Sequence, residues 1–222
     1  MADTLENSFS QTGTATSEIA CTGTIASAEV FTILTISISN SQTADTTFDL
    51  WIDPASGSNT FLYQDQSLPG QSTFIHNSKI VMLTGDVLKI SSSVGLSGDG
   101  IQVAASYLKQ TSVSTSSDNL SRTLVAQTGT SQSVLMTSDA ADTKTVLSFT
   151  ICNQNTTTDT TFEVQLRKSD NDEFLLYKNV SLPAKSTFEH TDKIILQDDE
   201  TIYFDQADSL DISLICSYLV QP

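Results

Sequence analysis

The sequence predicts an all-β protein: two tandem antiparallel β-sandwich domains, jelly-roll or Ig-like, produced by an internal duplication. Three observations carry this. The stretch "SLPGQSTFIHNSKIVML" (Ser67–Leu83) returns 114 residues later as "SLPAKSTFEHTDKIILQ" (Ser181–Gln197). Apolar and polar residues alternate at period two in one segment after another, the pattern of half-buried strands. Turn signals recur about every ten residues, and no helix-period stretch is long enough to make a crossover between parallel strands.

In the first copy, strands are expected near 18–25, 30–39, 46–53, 61–68, 71–76, 79–83, 87–91 and 101–109. The segment "TTFDLWID" sets Phe48, Leu50 and Ile52 on one side and Thr47, Asp49, Trp51 and Asp53 on the other; "TTFEVQLR" repeats this with Phe162, Val164 and Leu166 inward. The preceding strand agrees at an offset of 113: Leu34, Ile36 and Ile38 answer to Leu147, Phe149 and Ile151. One extra residue in the next loop ("NSQTADTT" against "NQNTTTDTT") raises the offset to 114. The last strands match at 111, Ile101, Val103, Ala105 and Tyr107 against Ile212, Leu214, Cys216 and Tyr218, so three residues are lost, most naturally from "SSSVGLSGDG". Indels confined to loops, with inward and outward positions kept in phase, mark a duplicated fold. The expected domains are 1–110 and 123–222, joined by a polar linker at 111–122.

The chain carries 10 Lys+Arg against 26 Asp+Glu, a net charge of −16, and both halves are acidic. A phosphate backbone or an anionic membrane would be repelled, so neither nucleic acid nor membrane is an expected partner. The N-terminal "MADTLENSFSQ" has no basic region followed by an apolar run, so no signal peptide and synthesis in the cytoplasm are expected. Cys21, Cys152 and Cys216 show no CxxC spacing and read as small buried hydrophobes; whether Cys152 and Cys216 pair is left open.

No constellation announces catalysis. The G-x-S-x-G and H-E-x-x-H patterns are absent, and the two histidines hold duplicate positions. Pro69 and Pro183 fix the exit of a strand through their locked φ. His76 and His190 follow at equivalent places; one His per domain is a poor ligand set, and the expected role is a ring hydrogen bond that fixes the turn. Asp170 with Asp172, or Asp198, Asp199 and Glu200, offer oxygen ligands for calcium, but the EF-hand spacing is missing and solvated turns are expected. No metal, cofactor or enzymatic activity is expected. Trp51 lies on the polar side of its strand, where a loop of its own domain or a neighbouring subunit must cover it. Leu108, Ile215 and Leu219 fall on the outward phase of the last strands, and with Trp51 they are the candidate interface residues.

Taken together, a T-V-L-x-x-x-I-x-N strand, an alternating strand, "FLYQDQSLPGQSTF" or "LLYKNVSLPAKSTFEHTDKIIL", and "ETIYFDQADSLDISLICSYL" resemble a recurrent β-sandwich module of tailed-bacteriophage virion structural proteins, of decoration or neck-tail type. In such modules a "YL..N.PLPA.SSFE" segment leads to a "KIVL..GD.L" strand, and the domain ends in "VSYLE". Both copies match, outside the linker and about the first fifteen residues. Asp199 replaces the module's turn glycine (Gly85 in the first copy), which points to a different turn type, and Lys109 and Val220 stand where the module ends in an acid. The resemblance implies a non-enzymatic virion protein, a capsid decoration or cement protein or a head-tail neck component. Its partners would be the major capsid protein or neck and tail proteins, within a symmetric homo-oligomeric assembly. The alternative from another class is a glycan-binding adhesin module using exposed aromatics.

Overall fold

The computed structural model describes residues 2–11, 18–93, 100–111, 119–139, 141–168, 172–197 and 199–221. The chain divides into two compact units, Met1–Val113 and Ser114–Pro222. Every described regular element is a strand.

The first unit holds β1 (Ala2–Gln11), β2 (Ile19–Ala20), β3 (Glu29–Asn40), β4 (Thr46–Asp53), β5 (Thr60–Leu68), β6 (Thr73–His76), β7 (Ile80–Met82), β8 (Val87–Ser92) and β9 (Ile101–Thr111). One sheet runs β1-β9-β3-β6, with β7 also on β3; the other runs β2-β8-β4-β5. The first and last strands are neighbours, and β4-β5 is the one consecutive pair bonded within a sheet. That interleaving of a five-strand and a four-strand sheet is the jelly roll, which decides between the two expected sandwich types. The second unit holds β10 (Asn119–Gln127), β11 (Ser133–Thr137), β12 (Thr143–Asn153), β13 (Thr160–Arg167), β14 (Glu173–Leu182), β15 (Thr187–His190), β16 (Ile194–Leu196), β17 (Thr201–Gln206) and β18 (Ile212–Gln221). Its sheets, β10-β18-β12-β15 and β11-β17-β13-β14, repeat the first pair with every strand moved nine places along.

In β4 and β13 the positions expected to face inward do so. Phe48, Leu50 and Ile52 are buried, as are Phe162 and Val164, with Leu166 half-buried against the same core. Two bulges recur at matching places. In β3 the register against β9 shifts between Ile33 and Thr35, and in β12 against β18 between Val146 and Ser148. In β5 and β14 the irregularity coincides with Asp65 (φ 48°) and Asn179 (φ 50°), residue types that tolerate the left-handed region. The Asp65 amide donates to Asp49 Oδ1 at 2.7 Å, holding the bulge to the neighbouring strand.

One expectation needs correction. The strand expected near 18–25 is only Ile19–Ala20, and a ten-residue strand, β1, precedes it. Within the range 111–122, Thr111 closes β9 and Asn119–Arg122 open β10 as a lead-in strand, while residues 112–118 lie outside the described residues. The three-residue loss falls where it was expected, between β8 and β9, since β8 matches β17 at 114 and β9 matches β18 at 111.

Candidate interaction surface

The repeated "SLP" stretch is a knot that joins three loops. Asn40, 2% exposed at the end of β3, donates through Nδ2 to Ala44 O (2.8 Å), Leu68 O and Pro69 O (both 3.3 Å), and its Oδ1 accepts from the Gln42 amide. Asn153 does the same with Thr158, Leu182 and Pro183, and accepts from the Asn155 amide. Asp45 Oδ1 accepts from the Gly70 amide, and Asp159 Oδ1 from the Ala184 amide, both at 2.9 Å. Ser72 and Ser186 hydroxyls donate back to the Pro69 and Pro183 carbonyls, closing the turn that each proline opens. A buried amide that uses both donor hydrogens and its acceptor converts a costly polar group into a fixed crossing point.

Each histidine ring shares a hydrogen bond with a tyrosine of its own unit. His76 Nδ1 and the Tyr63 hydroxyl share a hydrogen bond at 2.8 Å, and His190 Nδ1 and Tyr177 at 2.7 Å. β6 and β5 belong to opposite sheets, as do β15 and β14, so each bond ties the two sheets of a sandwich through its core. The aromatic rings Phe74 and Phe188 stand edge-on to the two tyrosines at 4.9 and 5.0 Å, and Phe149 stacks on His190 at 4.5 Å. Burial pushes the His190 ring below the usual imidazole range, against a smaller opposing pull from Asp192.

No group of three His, Cys, Asp or Glu able to hold a metal ion occurs among the described residues. Asp170 and Asp198 lie outside them. Glu200 is committed to its turn, accepting from the Gln197 amide at 2.9 Å as Asp86 accepts from Leu83 at 2.7 Å. Both turns carry a positive φ at the third position, 87° at Gly85 and 65° at Asp199, and both close with an amide from the fourth residue to the carbonyl of the first, at 3.0 Å. All three cysteines are free and buried, Cys152 and Cys216 included, and burial pushes the Cys21 and Cys216 thiols up to about 12.

Of the candidate interface residues, Trp51 is not a surface anchor. It is 5% exposed, lies against Phe61 at 5.7 Å between ring centres, and its Nε1 meets the Asn59 side-chain oxygen at 3.2 Å once that amide is oriented to satisfy both partners. Its own domain covers it. Ile215 is also buried, whereas Leu108 and Leu219 are half-buried.

The large exposed apolar side chains of the first unit are ones that the alternation pattern did not single out: Leu5 (76% exposed), Phe9 (75%) and Ile75 (57%). Registers place them on the outward face of the β1-β9-β3-β6 sheet. Phe9 lies opposite Ala104, Ala104 opposite Ser37, and Ser37 opposite Ile75, one row across four strands; Leu5 lies opposite Leu108. Phe9 lines an open depression of about 480 Å³ together with Ser10, Ser37, Ser39, Gln102, Val103 and Ala104. From the Leu5–Leu108 row to the Gln102–Ser39–Thr73 row, the described outward positions carry no Asp, Glu, Lys or Arg. Outside those rows this sheet carries charge, Lys109 bridging Glu29 at 2.9 Å and Glu6 at 3.9 Å, as does the other sheet, where Lys89 bridges Asp53 at 2.7 Å and Glu18 at 2.8 Å. The sequence signal for this face was the lone aromatic in polar "ENSFSQ", four residues from Leu5 and so on the same side of a strand.

No family model matches the chain, and no curated protein matches its sequence. Among solved structures it is similar to the STIV MCP (11% identity over 99% of this chain and 96% of that one, TM-score 0.34). It is similar also to the major capsid protein P2 from bacteriophage PM2 (10%, 99% and 97%, TM-score 0.36). A third is the N-terminal CBM22-1-CBM22-2 tandem domain from Paenibacillus barcinonensis Xyn10C (9%, 99% and 91%, TM-score 0.30). Likenesses this weak speak to neither activity nor partners.

Proposed function

We propose that this chain is a non-enzymatic structural protein of a virus particle, a capsid decoration protein or head-tail neck component that binds neighbouring virion proteins through sheet faces, edges and loops. The observation that supports this best is one jelly-roll topology built twice in one chain, an architecture used by viral capsid and lectin domains. The sequence resemblance to tailed-phage virion modules points the same way. A tandem protein presents two similar but unequal surfaces, so six chains would supply twelve related domains to a ring. The acidic charge disfavours direct contact with packaged nucleic acid.

Quantitative mass spectrometry of purified particles, counting this chain against the major capsid protein, tests the reading. Hundreds of copies would mean shell decoration, and roughly six to twelve would mean a neck or tail ring. Absence from particles would overturn it and favour recognition of glycans, which an array with the purified protein would detect.

A further inference from the structure

We propose that the outward face of the β1-β9-β3-β6 sheet is where two copies of this chain meet about a two-fold axis, Phe9 of each entering the depression of the other. The inference rests on the geometry of this face and does not draw on the virion reading.

Three features select a second copy as the occupant. First, a projecting ring forms one wall of a hollow: Phe9, 75% exposed, lines a depression of about 480 Å³ whose other walls include Ser37, Ser39, Gln102 and Ala104. A two-fold interface requires that pairing, because each patch must be complementary to itself. Second, a chain of net charge −16 repels its own copies, and the rows named above carry no charged side chain among the described residues. Two copies can approach there without bringing like charges together. Third, the patch has the size of an interface core. Four strands about 4.8 Å apart, with their side chains, span about 20 Å, and the seven residues of β9 from Gln102 to Leu108 span about 23 Å, which gives roughly 460 Å² without charge. A stable interface needs about 800 Å² per partner, so the uncharged rows form the centre of the contact and the charged positions around them its rim.

β1 itself is arranged so that its outward side chains are free for such a contact. Its inward serines bond the neighbouring strand region, Ser8 Oγ to Cys21 O and Ser10 Oγ to Ala20 O, and its described side chains are exposed or half-buried. Phe9 therefore contributes little to the sandwich core. Ile75 is equally replaceable, because the second unit folds with Glu189 at the equivalent place, opposite Thr150 as Ile75 is opposite Ser37.

Sedimentation velocity of the full chain over a concentration series tests the proposal. The wild-type protein is expected to dimerise. Phe9→Ser and Ile75→Glu are expected to weaken the dimer by roughly tenfold or more each, with circular dichroism unchanged. In a mixture of Phe9→Cys and Ser37→Cys proteins, oxidation is expected to give a crosslinked heterodimer that forms faster than either homodimer. A wild-type protein that stays monomeric at every concentration overturns the proposal, as does a dimer indifferent to both substitutions. So does a monomer that binds an oligosaccharide through Phe9.

Discussion

Replacing Gly70 with alanine would set a Cβ 2.2 Å from the Thr43 carbonyl oxygen and 2.5 Å from its carbon. These are main-chain atoms, and ordinary contact is more than 1 Å farther away, so the loop after β3 would have to retreat. It is held where it is by the Gln71 amide on Gln42 O at 2.8 Å, the Gly70 amide on Asp45 at 2.9 Å, and Asn40 on Ala44 O at 2.8 Å. Stretching two of these bonds costs about 1 kcal/mol each, and overpacking without escape costs about 1–3 kcal/mol, so the expected loss is about 3–5 kcal/mol. The second copy has alanine at this place, Ala184, and tolerates it because its loop from Asn153 to Asp159 is one residue longer than that from Asn40 to Asp45. Ala184→Gly is therefore expected to cost under about 1 kcal/mol, the ordinary backbone-entropy effect. Grafting "QNTTT" in place of Ser41–Ala44 is expected to restore the stability of Gly70→Ala. Denaturant unfolding followed by fluorescence reads the first unit alone, because Trp51 is the only tryptophan and is buried there. A Gly70→Ala protein as stable as wild type, or one that the longer loop fails to rescue, would refute the reasoning.

Trp51→Ser is expected to destabilise the first unit by about 3–5 kcal/mol, because the ring is buried against Phe61; a melt followed by circular dichroism checks it. His190 is held below the usual imidazole range by burial, so between its folded and unfolded pKa values the unfolded chain binds the extra proton. Stability of the second unit is then fully present above about pH 6.5 and falls as the pH drops below it, and His190→Gln is expected to flatten that slope in unfolding measured from pH 8 to 4.5. All three thiols are expected to resist a disulfide reagent at pH 8 until denaturant is added, since Cys21, Cys152 and Cys216 are buried and the first and last are pushed up to about 12.

What the sequence disclosed follows from what period two can report. β4, whose Phe48, Leu50 and Ile52 all face the core, is found at the residues expected, Thr46–Asp53. β1 gave no such signal, because its inward positions include Ser8 and Ser10, which bond main-chain carbonyls, and its two large apolar residues point outward. A second clue is that "QTGT" occurs both at 11–14 and at 127–130. Trp51 misled for a different reason. Its strand phase is outward, and only the β4–β5 pairing, irregular between Leu50 and Trp51, brings Phe61 across to cover it. The histidines were seen as a pair, but their tyrosine partners lie 13 residues away on the opposite sheet, a relation that spacing alone does not reveal.

The two copies differ in a way that bears on where binding resides. Inside, Asn40, Asp45, Tyr63, Phe74 and His76 are matched residue for residue by Asn153, Asp159, Tyr177, Phe188 and His190, since each takes part in a bond or ring contact that the fold reuses. On the outward face the matched row changes at every position: Phe9, Ala104, Ser37 and Ile75 against Leu124, Ile215, Thr150 and Glu189. A face needed only for solubility would carry charge in both copies, and a face needed only for folding would be the same in both. This one is neither. The hollow beside Phe9 depends on Ala104 being small, so Ala104→Ile, which installs the second copy's side chain in the first, is expected to fill it and weaken self-association while the sandwich stays folded. Sedimentation of Ala104→Ile beside Phe9→Ser separates the hollow from the ring, and a dimer that tolerates isoleucine at 104 would show that the ring docks elsewhere.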